Sequence, residues 1–217
     1  INKDILKEIC PERKNENNYF LLPINRTVKV EKDFAPEGLV ALPKSLTRTN
    51  AIACVTKETR DALVKMSNAA VASGINFSVT SAYRTYAIQD YLYNHYKKYN
   101  GEYFWRGIAE AGHSEHQLGT TVDLAGLSQN FAGTSDTFDN TAEGIWLNAN
   151  AYLYGFVMSY PKGKDSITTY KYEPWHYRYV GADVAKEVHD SELALVEVLQ
   201  NIETEKNKLS YALNEQE

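Results

Sequence analysis

Apolar residues recur at helical spacing in two stretches of the chain's first half. Between Lys57 and Ser73, Ala62, Leu63, Met66 and Ala70 share one face; Thr56 stands where a cap belongs and Gly74 ends the run. A second helix is predicted from a Thr85 cap through Tyr99, with Ile88, Tyr91, Leu92, Tyr96 and Tyr99 facing inward and Gly101 as the stop. A third runs from Glu143 to Tyr154, closed by Gly155. β-branched or alternating runs predict strands at 77–84 (FSVTSAYR), 120–125 (TTVDLA) and 175–180 (WHYRYV). FVMSY at 156–160, a PKGK turn and SITTYKY at 166–172 predict a β-hairpin. Residues 127–142 read as a polar loop. From Gly181 the pattern is helical to the end, with Ser191 as a cap between two helices and the polar residues after about 202 fraying or free.

The start of the chain has no such period. Pro11, Pro23, Pro36 and Pro43 punctuate a polar stretch that predicts an arm over 1–50 wrapped on the domain, with one short strand at 25–30 (NRTVKV). The predicted organisation is therefore an arm at 1–50, a domain at 51–190 and a helical tail at 191–217. Strands interleaved unevenly with helices predict an α+β fold, a largely antiparallel sheet flanked by helices.

Composition narrows the function classes. The 217 residues are 43% hydrophobic, enough for one domain with a real core, and the net charge of −5 without a dense basic cluster argues against nucleic acid. No apolar run approaches the roughly 20 residues of a membrane span. The chain opens at Ile1 without a signal-peptide pattern, as a mature or trimmed form would, so an anchor upstream stays open. Sixteen tyrosines suit either a groove for a polar polymer or a Tyr-rich sheet surface. Cys10 and Cys54, the two cysteines, are read either as a disulfide or as two unrelated buried thiols.

The candidate chemistry lies in HSEHQLGTTVD at 113–123 and EPWH at 173–176. Two imidazoles, His116 and His176, with the carboxylate of Asp123, make a three-ligand zinc set that leaves a position for water, and Glu173 is a spare base beside it. Residues 116 and 123 would be about 10.5 Å apart along a helix and on opposite faces of a straight strand. The segment must therefore bend, at Gly119, with His116 on a turn and Asp123 on the strand that follows. Pro174 keeps Glu173 extended. Alternation puts His176, Arg178 and Val180 on one face of the last strand, and Trp175, Tyr177 and Tyr179 on the other. His95 and His189 read as ordinary surface or core residues; His113 stays open as a fourth ligand that would make the site structural.

SEHQLGTTVD and EPWHYRYVG resemble the Ser-x-His-x-x-Gly-x-x-x-Asp and Glu-x-x-His motifs of the VanY-like zinc D-alanyl-D-alanine carboxypeptidases, a family that includes L,D-carboxypeptidases. SAYRTYAIQ at 81–89 and GFVMSYPKGK at 155–164 resemble two further signatures, so the likeness covers roughly residues 55–190. It implies a Hedgehog/DD-peptidase-like domain with one zinc ion on His116, Asp123 and His176, and Glu173 as catalytic base. Arg84 is implied in catalysis and substrate binding, with Gln89, Ser114 and Trp175 as further substrate contacts. A fixed guanidinium fork suits a free C-terminal carboxylate or an oxyanion. Thr120, Thr121 and Ser159 depart from the expected pattern, the last replacing an arginine, which puts specificity in doubt rather than chemistry.

The expectation is a monomeric, extracytoplasmic enzyme that removes D-alanine from a peptidoglycan stem peptide or muropeptide, D,D or L,D. A lysin-type endopeptidase and a non-catalytic zinc-bearing wall- or partner-binding module are the alternatives.

Overall fold

A computed structural model describes residues 9–11, 19–47, 52–101 and 103–214. The remainder of the predicted arm, at 1–8, 12–18 and 48–50, and the last three residues of the predicted tail lie outside the described residues.

Strands β1 (Leu39–Ala41) and β2 (Cys54–Thr56) form an antiparallel ribbon. A second, four-stranded sheet holds β3 (Phe77–Ser81), β4 (Thr121–Gly126), β5 (Phe156–Met158) and β6 (His176–Tyr179) in the order β3-β4-β6-β5, every neighbouring pair antiparallel. Among the described residues the helices are α1 (Lys57–Ala72), α2 (Tyr86–Tyr99), α3 (Ala142–Asn150), the single turn α4 (Asp165–Thr168), α5 (Ala182–Ser191) and α6 (Leu195–Asn214). The fold is α+β as expected. The starts of α1 and α2 are set by the predicted caps: Thr56 accepts from Thr59 N and Thr85 from Ile88 N.

Strand alternation divides the large sheet into two faces. Val122 and Leu124 of β4 and Tyr177 of β6 point to one side, where Leu63, Met66, Phe138 and Leu147 cover them in a core with almost no exposure. Each such side chain contributes about 1.5–3 kcal/mol on burial. Asp123, His176 and Arg178 occupy the opposite face. A second cluster seats α5 and α6 on β5 through Val157, Val188, Leu195 and Leu199. Gly144 in α3 lies against the preceding loop; a Cβ there would collide with the Phe138 carbonyl and sit 2.7 Å from Asp139 Cα. Gly144→Ala is expected to cost about 1–3 kcal/mol by overpacking. A denaturant melt that matches the parent would contradict this contact.

Several expectations are corrected. The hairpin of 156–160 with 166–172 does not form: β5 pairs with β6, and residues 165–168 make one helical turn. Thr168 N donates to the Lys164 carbonyl at 2.9 Å, and Thr169, at φ +65°, ends the turn, so the β-branched run is not extended. On α2 only Gln89 is buried, while Ile88, Tyr91, Tyr96 and Tyr99 are exposed and Leu92 is half-buried. Residues 25–28 bend, and no strand forms over 25–30, because Asn25 Oδ1 accepts from Thr27 N and Val28 N. Ser191 is the last residue of α5; the lead into α6 is held instead by Glu197, which accepts from Ala194 N. The ribbon β1–β2 was not anticipated. Cys10 and Cys54 form a disulfide, with Cα atoms 5.9 Å apart.

Candidate active site

The site is built by one bent segment laid beside two strands. Residues Glu115–Leu118 form a short 3-10 turn, and Gly119, at φ +69°, reverses the chain into β4. A side chain there would be strained by that φ and would push on its neighbours, since a Cβ would lie 2.8 Å from Leu39 Cδ2 and 2.9 Å from Pro36 Cγ. The predicted bend is thus where it was placed, with His116 on the turn and Asp123 on the strand. Sheet register then sets Asp123 directly opposite His176.

Each ring has one nitrogen committed to a partner and one aimed at a common point. His116 donates from Nδ1 to the Ala82 carbonyl at 2.8 Å, which leaves Nε2 as the acceptor nitrogen, 3.3 Å from Asp123 Oδ2. That buried Nε2 has no hydrogen bond. His176 is turned the other way: Nε2 donates to Glu115 Oε2 at 2.9 Å, and Nδ1 lies 3.1 Å from Asp123 Oδ1. Ligand atoms of His116, Asp123 and His176 all lie within 4.8 Å of one another, and all three residues are buried. Donors about 2.0–2.1 Å from a tetrahedral ion stand about 3.4 Å apart; each imidazole lies near that distance from one of the two Asp123 oxygens, so the group could hold a metal ion.

Electrostatics agree with a cation here. Burial alone would raise the Asp123 carboxyl, but the His116 and His176 rings beside it hold it well below the usual range. Burial opposes charge on His176, yet Asp123 and Glu115 on its two nitrogens raise it to about 10. Burial, with Arg84 nearby, lowers His116 to about 4, which keeps that ring a neutral ligand. A set of carboxylates that draws a proton onto one imidazole is a set that a divalent cation would satisfy.

The other expected residues gather around this point. Glu173 is 9% exposed, with Oε2 3.6 Å from His176 Nδ1, and burial pushes its carboxyl up to about 7. Arg84 Nη2 is 4.0 Å from Asp123 Oδ2, and its buried Nε has no partner among the described residues. Gln89 accepts from Arg84 Nη1 at 2.9 Å and donates to the Ala109 carbonyl at 2.7 Å, so its amide holds the guanidinium in place. Ser114 lines a cavity of about 40 Å³ together with Arg84, Gln89, His116, Glu173 and His176. Trp175 forms a wall of the adjoining cleft, about 430 Å³, whose lining also includes Arg84, Asp123, Glu173, Tyr96 and Lys171.

His113 lies outside the ligand set; its Nδ1 donates to the Asn25 carbonyl at 2.7 Å. His189 stacks on Tyr152, and His95 is an exposed residue between Tyr91 and Tyr99. One residue that sequence reasoning missed is Glu115. It is buried, accepts from His176, and is held by Arg178 Nη1 at 2.9 Å. The signal was present, because the alternation that put Arg178 on the face of His176 demanded a buried counter-charge. Ser159, where the sequence pattern lacked an arginine, is buried and donates from its backbone N to the His176 carbonyl at 3.4 Å. Thr120 and Thr121 place buried hydroxyls at the start of β4, unpartnered among the described residues.

Comparison with known proteins places this geometry in context. The family model described as VanY, D-alanyl-D-alanine carboxypeptidase, matches residues 53–182. The D-alanyl-D-alanine carboxypeptidase of Enterococcus faecium is 31% identical over 216 residues, which are 96% of this chain and 65% of that one. The chain thus spans slightly under two thirds of that relative. The LdcB LD-carboxypeptidase superposes with a TM-score of 0.77 at 32% identity, over 87% of this chain and 92% of its own. A vancomycin-resistance D,D-pentapeptidase VanY, solved as a point mutant in complex with Zn(II), gives 0.68 at 29% identity, over 84% of this chain and 99% of that one.

Proposed function

This chain belongs to the VanY family of D-alanyl-D-alanine carboxypeptidases, and on that premise we propose that it is a zinc-dependent enzyme that removes the C-terminal D-alanine from peptidoglycan stem peptides. The observation that carries the reading is the convergence of His116, Asp123 and His176 with Glu173 at the wall of one cleft. His116 Nε2, an Asp123 oxygen and His176 Nδ1 would hold the metal. When bound, zinc supplies Lewis acidity and brings the ionisation of water near neutrality.

The chain's own residues supply the rest. Glu173, with a carboxyl near 7, takes the proton of the attacking water and returns it to the leaving amine. Arg84, fixed by Gln89, receives the terminal carboxylate or steadies the oxygen that develops charge. Trp175 and the cleft beyond it receive the stem, with Ser114 at the deeper end. D,D and L,D specificity share this chemistry and differ in how the penultimate residue is received.

The substrate lies outside the bacterial cytoplasmic membrane, and the Cys10–Cys54 disulfide suits an oxidising, extracytoplasmic compartment. Among the described residues no helix is long and apolar enough to cross a membrane. We further propose the arm, domain and tail division of the sequence reading, with a monomer as the working unit.

The zinc assignment is tested by metal content. Elemental analysis is expected to give one zinc per chain, lost together with D-alanine release on chelation and restored with it. Asp123→Asn is expected to lose both. Undiminished turnover in the metal-free protein would contradict the assignment.

A further inference from the structure

We propose that Glu115, Arg178 and the backbone of residues 20–22 form a positioning relay that fixes which nitrogen of His176 faces the metal, so that the N-terminal arm is part of the metal centre. The inference rests on the reading of His176 as a ligand given above. It goes further in assigning a role to Glu115 and Arg178, and to a stretch of chain that precedes the family match at 53–182.

The two histidines are oriented oppositely. His116 presents Nε2 because a backbone carbonyl takes its Nδ1–H. His176 presents Nδ1 because Glu115 Oε2 takes its Nε2–H at 2.9 Å. Both nitrogens face a carboxylate, Asp123 Oδ1 at Nδ1 and Glu115 Oε2 at Nε2; with a cation in place of the Nδ1 proton, the remaining proton sits on Nε2, where Glu115 can only accept it. A carboxylate behind a ligating imidazole also raises its basicity toward the metal.

Glu115 is itself buried and must be paired to remain charged there. Its oxygens divide the work, Oε2 on His176 and Oε1 on Arg178 Nη1 at 2.9 Å. Arg178, with no exposed side-chain surface, then spends Nη2 on the carbonyls of Phe20 at 3.1 Å and Leu22 at 2.8 Å.

Those carbonyls are held in turn. Leu22 packs beside Ile24, Val30 and Leu118, and Leu118 belongs to the same short turn as Glu115 and His116. The Phe20 ring rests on Tyr179, one residue beyond Arg178 in β6. The arm thus closes on both strands of the relay. Stability alone is a poor reason for such a pair, since a buried ion pair is often no better than apolar residues of like volume. A ligand on its far side gives it one.

The test is zinc affinity by chelator competition, with folding of each metal-free variant checked by circular dichroism. Glu115→Gln keeps an acceptor but loses the charge, and the double variant Glu115→Gln/Arg178→Met removes the stranded cation should the single change fail to fold. Both are expected to bind zinc about 10–100-fold more weakly than the parent. Arg178→Lys, which keeps charge but loses the fork to the arm, is expected to weaken it by less, and Glu115→Asp to recover part of the loss. Imidazole ¹⁵N spectra of the zinc-loaded parent are expected to show His176 coordinated through Nδ1 and protonated on Nε2. A folded Glu115 variant with parental zinc affinity, or coordination of His176 through Nε2, overturns the relay while leaving the enzyme reading intact. A parent that binds no zinc overturns that reading, and the relay with it.

Discussion

Glu173→Ala is expected to keep its zinc and to lose about 10²–10⁴-fold in kcat, the range for removal of a positioned acid–base group. The expectation follows from what the side chain does and does not touch. The proposed ligand set, His116, Asp123 and His176, does not include it. Its own carboxylate sits 3.6 Å from His176 Nδ1, at the edge of the set and on the wall of the cleft. In the metal-free protein, burial, aided by the Asp123 charge and opposed by His176, raises this carboxyl to about 7, and its place beside the set lets it take and return a proton there. Zinc content by elemental analysis and kcat on a stem peptide are read on the same sample. Zinc lost with the side chain would make Glu173 a ligand, and full turnover with zinc retained would remove it from the mechanism.

The second large effect is on stability. Cys10 and Cys54 are separated by 44 residues, and closing a loop of that size removes unfolded-chain entropy worth about 4 kcal/mol. For a chain of this length that is roughly 8–16 °C in melting temperature. The bond ties the arm to β2, which runs directly into the Thr56 cap of α1, while Thr56 N donates to the Gly119 carbonyl at 2.8 Å. Cys10→Ser/Cys54→Ser is therefore expected to melt well below the oxidised parent, and the parent in reductant to melt with the double variant. Coincident melts of oxidised and reduced parent would show that the link adds nothing to the fold.

The site was far more legible in the sequence than its surroundings, for a physical reason. A ligand set separated by a short span admits few backbone paths, so the required bend at Gly119 and the strand alternation through His176 and Arg178 could be read locally. What could not be read was pairing between distant segments. Nothing in FVMSY says that its partner is β6 rather than the β-branched run that follows, and nothing near Leu39 announces β2. Helix α2 failed differently. Counting tyrosine as apolar put Tyr91 and Tyr99 inward, yet they are 68% and 62% exposed, because a phenol tolerates water while α2 is oriented by Gln89, buried between Arg84 and the Ala109 carbonyl. Glu115 was passed over because a carboxylate beside a histidine looks like surface until Arg178 is seen buried against it.

Removal of a terminal D-alanine at the proposed zinc site is tested most directly by free D-alanine release from matched muropeptides. One ends in D-Ala-D-Ala and the other is the tetrapeptide, each assayed with the zinc-loaded protein and with a chelator control. Chelator-sensitive release is predicted, from the pentapeptide for a D,D-enzyme or from the tetrapeptide for an L,D-enzyme. Cleavage within the stem or cross-bridge without free D-alanine, or no cleavage of either by zinc-loaded protein, would contradict it.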